Sequence, residues 1–279
     1  MVTCKKKTNN FLNIINKNKD TYKVLEVENL QIGYQRKRES LIIGDEISFG
    51  LGKGILAAVV GANGIGKSTL LRSIAGVQNP LKGKVLLNQK SLKSYTPVAL
   101  ASNLSIVLTE QLPSGNLTIK EVVALGRQPY TNWIGTLGAI DNERVHEAMQ
   151  LVNIDHIQNK KCYELSDGQL QKVMIARALA QETSLIILDE PTTHLDIYHK
   201  AYILKLLKKI TRETGKTILF STHEIELAIQ LCDEMLVMTS DQTSFGDPCE
   251  LIEKGVFSSL FPADLIWFEP ETGTFRIKK

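Results

Sequence analysis

The sequence predicts an α/β fold, with a parallel-sheet core, an antiparallel β subdomain ahead of it and a helical subdomain inserted into it. Three observations carry that prediction. Apolar runs of strand length at residues 55–60, 184–188, 217–222 and 234–238 alternate with helical stretches, the pattern of βαβ units joined into one parallel sheet. Residues 24–34 and 41–50 read as two strands across a charged turn at 35–40, which is an antiparallel hairpin. Residues 91–162 are mostly helical in period and interrupt the α/β alternation.

In chain order, the first 23 residues hold six Lys and one Asp, against a formal net charge of +3 for all 279 residues. The body is therefore nearly neutral, and no nucleic-acid partner is expected. Residues 1–21 read as a basic, disordered, solvated tail or, through Phe11, Leu12, Ile14 and Ile15, as a weak contact with anionic lipid. One domain is expected over 22–279. With 43% hydrophobic and 23% charged residues the composition is ordinary for a globular chain. No run approaches the roughly 18 apolar residues of a membrane span, and the N-terminus lacks an apolar signal core, so a cytoplasmic location is expected. Cys4, Cys162, Cys232 and Cys249 lie far apart without a C-x-x-C pair and are expected to be reduced thiols.

Behind the hairpin, the run 55–60 breaks into Gly61-Ala62-Asn63-Gly64-Ile65-Gly66-Lys67-Ser68-Thr69, which fills the pattern G-x-x-x-x-G-K-[ST] between a strand and a helix. Backbone N–H groups can converge on β- and γ-phosphates only where no Cβ intrudes and where φ > 0 is tolerated. The helix beginning near Lys67 aims its positive end at the same anion. Lys67 is expected to reach the phosphates and the Ser68 hydroxyl to bind Mg²⁺, as in a P-loop NTPase core. Tyr34, at the end of the first strand, can stack on adenine or simply pack on the sheet edge.

A short strand at 84–88, a helical turn at 96–101 and a strand at 104–108 follow. Gln111 then opens a loop containing Gly and Pro, where a neutral amide can touch a metal-bound water or be merely solvated. Thr118 and Glu121 form a capping box for a helix reaching Gly126. Residues 127–138 read as irregular, exposing Tyr130 and Trp133, and Asp141 reads as the cap of a helix to Leu151. Ser166 and Gly168 stand at the mouth of a long helix whose N-terminus is a second anion site or a simple Ser cap. The strand 184–188 ends in Asp189, which can hold a Mg²⁺-bound water, and Glu190, which can orient and deprotonate an attacking water. His223 closes the strand 217–222 at the edge where open α/β sheets bind ligands, and its imidazole can bond a γ-phosphate oxygen. A hairpin at 265–268 and 274–277 ends the chain.

The order of cradle, Gln111, Leu165-Ser-Asp-Gly-Gln169, apolar strand with Asp189-Glu190, His194-Leu-Asp196 and His223 resembles the nucleotide-binding subunits of ATP-binding cassette (ABC) transporters from Tyr22 to the C-terminus. The resemblance implies ATP and Mg²⁺ as cofactors and ATP hydrolysis as the activity. By it Tyr34 meets adenine, Gly61 to Ser68 form the Walker A cradle with Thr69 also binding the nucleotide, Gln111 is the Q-loop residue, and Leu165 to Gln169 form the signature, of which Ser166, Gly168 and Gln169 bind the nucleotide. Asp189 and Glu190 close the Walker B strand, Asp196 belongs to the D-loop and His223 is the switch histidine. Ser68, Gln111 and Asp189 would serve the metal, and Glu190, His223, Gln111 and Lys67 the chemistry. Asp167 stands where the commonest signature has Gly. The implied partners are a second copy of the chain, or a paralogous ATPase subunit, paired head-to-tail so that the signature of one completes the cradle of the other. Two membrane-spanning permease subunits and, indirectly, a substrate-binding protein complete the assembly, at the cytoplasmic face of the membrane.

Within that family, residues 118–130, Trp133-Ile-Gly, 141–145 and 189–197 are similar to the ATPases of importers for iron–siderophore complexes, haem and cobalamin, and zinc and manganese importers share the Gly126-Arg127 stretch. A DNA-repair or chromosome-organising ATPase would carry a long coiled coil between cradle and signature, and a translation-associated cassette two P-loops. An exporter fits residues 118–130 less well, and Lys67 together with Glu190 argues against a subunit that does not hydrolyse.

Overall fold

The computed structural model describes residues 22–35, 40–108, 115–262 and 264–278. The N-terminal tail, the turn at 36–39 and Gln111 lie outside the described residues. In chain order the strands are β1 (Leu25–Gln35), β2 (Ser40–Leu51), β3 (Leu56–Gly61), β4 (Lys82–Leu87), β5 (Lys90–Ser91), β6 (Leu104–Val107), β7 (Leu185–Leu188), β8 (Thr217–Ser221), β9 (Glu234–Met238), β10 (Thr243–Gly246), β11 (Ile266–Glu269) and β12 (Thr274–Ile277). The helices are α1 (Lys67–Ile74), α2 (Pro97–Ala101), α3 (Ile119–Ala124), α4 (Ala139–Leu151), α5 (Asp167–Ala180), α6 (Ile197–Thr214), α7 (Ile225–Leu231) and α8 (Pro248–Glu253), with short 3₁₀ turns between them.

The core is a six-stranded sheet in the order β10-β9-β3-β8-β7-β6, parallel throughout except for β10. Its strands read as continuous apolar runs because both faces are covered. Leu56, Ala58, Val60, Ile186, Leu188, Ile218 and Phe220 join the cluster under α5, α6 and α7, while Ala57, Val59, Leu185, Ile187 and Leu219 join the one under α1 and the antiparallel sheet. That second sheet has the order β2-β1-β4-β5. The period of two along each strand thus divides its residues between two cores.

The helical block differs in detail from the sequence expectation. β6 is the edge strand of the core sheet, so residues 104–107 belong with that sheet, and the helical packing is made by α3, α4 and α5. The Thr118–Glu121 capping box is present. Residues 125–130 form a 3₁₀ helix rather than irregular chain. Asp141 is not the cap of α4: Gly138 is, and the Asp141 carboxylate reaches back to the Gly138 N–H at 2.9 Å. Cys162 and Cys232 are free thiols, but Cys249 is disulfide-bonded, against the expectation of reduced cysteines. Separation along the chain does not report separation in space.

Candidate active site

β3, β8 and β7 lie side by side and point their C-terminal ends the same way. That single fact gathers the cradle (after β3), His223 (after β8) and Asp189-Glu190 (after β7) at one edge of the sheet. Tyr34, Ile43, Asn63, Gly64, Gly66, Lys67, Ser68, Thr69, Glu190 and His223 line one cleft of about 290 Å³.

The cradle turns where the glycines allow it. Gly66 sits at φ 107°, and a Cβ there would come within 2.3 Å of Ile43 Cγ2, so no other residue fits without moving the β2 side chain. Among the described residues, the amides of Gly64, Gly66, Lys67 and Ser68 have no backbone acceptor, and they stand at the N-terminus of α1. Such a group of donors suits an anion. Lys67 is buried, and its Nζ donates to the Gly61 and Ala62 carbonyls at 3.0 and 3.1 Å. Burial pushes its pKa down, while the charges of Glu190 and Asp189 pull it back up. Ala62 and Ile65 contribute backbone only, Ile65 N–H closing the turn onto Ala62 O at 3.4 Å. Tyr34 is half exposed at the cleft wall, its hydroxyl 3.4 Å from Thr69 Oγ1.

Ser68 Oγ donates to Asp189 Oδ1 at 3.0 Å, and Asp189 is almost wholly buried. Two hard oxygen donors at this corner fit a small divalent cation that takes its remaining ligands from phosphate and water. Glu190 has positive φ, 49°, and both its carboxylate oxygens are engaged. A carboxylate only accepts, so His223 Nε2, 2.7 Å from Oε1, donates, as does Thr193 Oγ1, 3.1 Å from Oε2.

The signature residues stand apart from this cleft. Ser166 caps α5, its Oγ accepting from Gln169 N–H at 3.4 Å while Gln169 Oε1 accepts from Ser166 N–H at 3.1 Å. None of Ser166, Gly168 and Gln169 lines the cradle cleft. Asp167 faces a second cleft of about 410 Å³, shared with Leu165, Asp189, Glu190 and Thr193. Asp196 caps α6: its carboxylate accepts from His199 N–H at 2.8 Å and lies 2.9 Å from His199 Nδ1, and these contacts hold its pKa down. Sequence reasoning passed over Thr193 and Ser221. Ser221 Oγ donates to Asp189 Oδ1 at 2.6 Å and accepts from Glu190 N–H at 2.9 Å. Its signal was a hydroxyl at the end of an apolar strand, two residues before His223.

A family model described as ABC transporter matches residues 45–193. The chain is 37% identical over 239 residues to the achromobactin transport ATP-binding protein CbrD of Dickeya dadantii, covering 84% of this chain and 86% of that one. It is 31% identical over 252 residues to the ferric enterobactin transport ATP-binding protein FepC of Escherichia coli, covering 90% and 92%. The solved structure of cbiO1 from Clostridium perfringens, part of the ABC transporter complex cbiONQ, is similar at a TM-score of 0.72 and 30% identity, over 84% of this chain and 92% of that one. The chain belongs to the ABC transporter family, as one of its ATP-binding, ATP-hydrolysing subunits.

Proposed function

We propose that this ATPase drives an importer of an iron–siderophore-type metal chelate, with haem and cobalamin as alternative cargoes of the same class and zinc or manganese import as the second reading. The likeness to CbrD, an achromobactin transport protein, and to FepC, a ferric enterobactin transport protein, supports the siderophore-type cargo. Residues 22–279 would act as one cassette whose helical subdomain is made by α3, α4 and α5. It works head-to-tail with a second copy, or with a paralogous ATPase subunit, against two permease subunits at the cytoplasmic face of the membrane. A substrate-binding protein acts indirectly.

In the cradle, the amides of Gly64, Gly66, Lys67 and Ser68 and the Lys67 ammonium bind the phosphates of ATP, and Tyr34 packs on adenine. Ser68 and Asp189, with Gln111 from outside the described residues, would hold Mg²⁺, which would supply charge neutralisation to the phosphates. Glu190 orients the attacking water and takes its proton at a carboxylate oxygen. His223 bonds the γ-phosphate when it turns from Glu190. Ser166, Gly168, Gln169 and Asp196 act on the partner's nucleotide.

The observation that carries the paired arrangement is the separation of the two anion-binding features within one chain: the signature hydroxyl caps α5 and does not line the cradle cleft. The cargo is tested by membrane vesicles holding the chain with its co-purified permease subunits and given ferric siderophore, haem, cobalamin, Zn²⁺ or Mn²⁺. ATP-dependent accumulation of the ferric siderophore is expected, and accumulation of only the free metal ions would refute the cargo.

A further inference from the structure

Ser221 ends β8, the strand that separates β3, leading into the cradle, from β7, leading into Asp189 and Glu190. It is fully buried, where a hydroxyl is costly unless its bonds are made. Both are made, and in opposite senses. A serine hydroxyl carries one proton. That proton goes to Asp189 Oδ1 at 2.6 Å, while the lone pairs accept the Glu190 backbone N–H at 2.9 Å. Asp189 Oδ1 has a second donor, Ser68 Oγ at 3.0 Å. Ser68 is also a proposed metal ligand, so a cation that engages its hydroxyl leaves Ser221 as the donor still fixing that carboxylate oxygen. Glu190 stands at φ 49°, a region unfavourable for a residue with a side chain, and its N–H bond to Ser221 ties that peptide to the central strand.

We propose that Ser221 is a positioning residue for ATP hydrolysis: its one hydroxyl sets both the direction of the Asp189 carboxylate and the backbone from which Glu190 projects. The inference rests on the reading of Asp189 as metal-side carboxylate and Glu190 as base. Ser221 itself acts only through these two residues.

The test compares Ser221→Ala with the wild-type chain in three measurements: ATP affinity in Mg²⁺ and in EDTA, steady-state kcat, and melting temperature. Hydrogen bonds to charged groups contribute roughly 1.5–3 kcal/mol, which corresponds to about ten- to a hundred-fold. The expected result is ATP affinity in EDTA within about two-fold of wild type, a Mg²⁺-dependent gain in affinity reduced about ten-fold, and kcat reduced at least about ten-fold. Ser221→Thr, which keeps the hydroxyl, should recover most of both. If its added methyl prevents folding, Ser221→Cys replaces it, and partial recovery is expected from the weaker thiol donor. An unchanged Mg²⁺ gain with unchanged kcat overturns the proposal. So does an equal loss of affinity in Mg²⁺ and in EDTA with a lowered melting temperature, because that marks a purely structural role. Glu190→Gln measured alongside separates the two layers. Retained hydrolysis there removes the reading of Glu190 as base, whereas an unaffected Ser221→Ala beside an inactive Glu190→Gln removes only the role of Ser221.

Discussion

Arg127→Ala should destabilise the protein by about 3 kcal/mol while leaving nucleotide binding intact, and the magnitude follows from what the guanidinium holds. Arg127 is only 3% exposed. Its Nε donates to Asp141 Oδ1 at 2.9 Å, and one terminal nitrogen donates to Ala180 O at 2.7 Å and Glu182 Oε2 at 2.6 Å. The guanidinium also lies 4.1 Å from the Tyr130 ring centroid. One side chain thus joins the 3₁₀ turn, α4 and the end of α5. Removing one partner of a buried pair costs roughly 3–5 kcal/mol. The lower end applies, because Glu182 is 40% exposed and keeps Arg144 at 3.1 Å. At about 2–4 °C per kcal/mol for a chain of this size, the melting temperature should fall by about 6–12 °C. The assay is thermal unfolding followed by circular dichroism, repeated in an Asp141→Asn background. Coupling of roughly 0.5–3 kcal/mol is expected between the two sites. A pH series adds a sign. The Gly138 N–H first, and Arg127 with it, hold the Asp141 carboxyl below its ordinary 3.8. Its contribution is therefore complete above that pH and is lost as pH falls through the lower folded value, so the deficit of Arg127→Ala should shrink in strong acid. Melting within about 2 °C of wild type, or strictly additive effects with Asp141→Asn, would refute the reasoning.

Glu190→Gln should bind ATP, fail to turn it over and accumulate as an ATP-bound dimer, since the amide cannot accept the water's proton; size-exclusion chromatography and phosphate release read both. Lys67→Ala should weaken ATP binding in a calorimetric titration by removing the ammonium from the cradle, and wild-type affinity would end the cradle reading. Lys67→Ala and Ser166→Arg should each be inactive alone yet regain activity when mixed, because a head-to-tail heterodimer contains one intact composite site. Absence of complementation between two folded, dimerising variants would contradict that pairing. Trp133 is 94% exposed, so Trp133→Ala should leave isolated ATPase activity nearly unchanged while reducing co-purification with the permease subunits and uptake; undiminished assembly and uptake would refute an interface there. Tyr130 is a poorer probe, because its hydroxyl donates to Gln181 O at 2.9 Å and its ring covers Arg127.

The cradle and the Asp189-Glu190 pair were legible because their chemistry is local. A glycine turn between a strand and a helix, or two carboxylates ending four apolar residues, carries its meaning in adjacent positions. Strand order is not local in this way. Nothing in residues 217–222 says that β8 lies between β3 and β7, so the position of Ser221 against both carboxylate residues emerged only in the fold. Arg127 was lost for a related reason. A Gly-Arg-Gln-Pro stretch reads as surface chain, yet Gly126 packs so closely on α5 that a Cβ would come within 2.2 Å of Arg177 O, and the next side chain is drawn inward. The Asp141 misreading was a shift of three residues, since a carboxylate satisfies a free helix amide from the cap or from the third helical position. The Thr118 cap succeeded because helix-start signals lie within one turn.

On the proposed roles, the site balances its own charges, and that balance selects the ligand able to displace it. Lys67 donates to two carbonyls of its own turn, Ser68 to Asp189, and His223 and Thr193 to the two oxygens of Glu190. A neutral ligand exchanging these bonds one for one would gain little, because net hydrogen-bond contributions are small. A triphosphate differs, bringing several anionic oxygens to Lys67 and to the amides at the start of α1. His223 then provides the discrimination. Its Nε2 proton can serve the Glu190 carboxylate or a γ-phosphate oxygen, so the turn that binds the γ-phosphate is also the turn that uncovers the base. A diphosphate offers no such acceptor, and with ADP the Glu190–His223 bond should persist. The His223 imidazole resonances should therefore shift with a non-hydrolysable ATP analogue and remain unchanged with ADP, and equal shifts with both nucleotides would mean that His223 does not read the γ-phosphate.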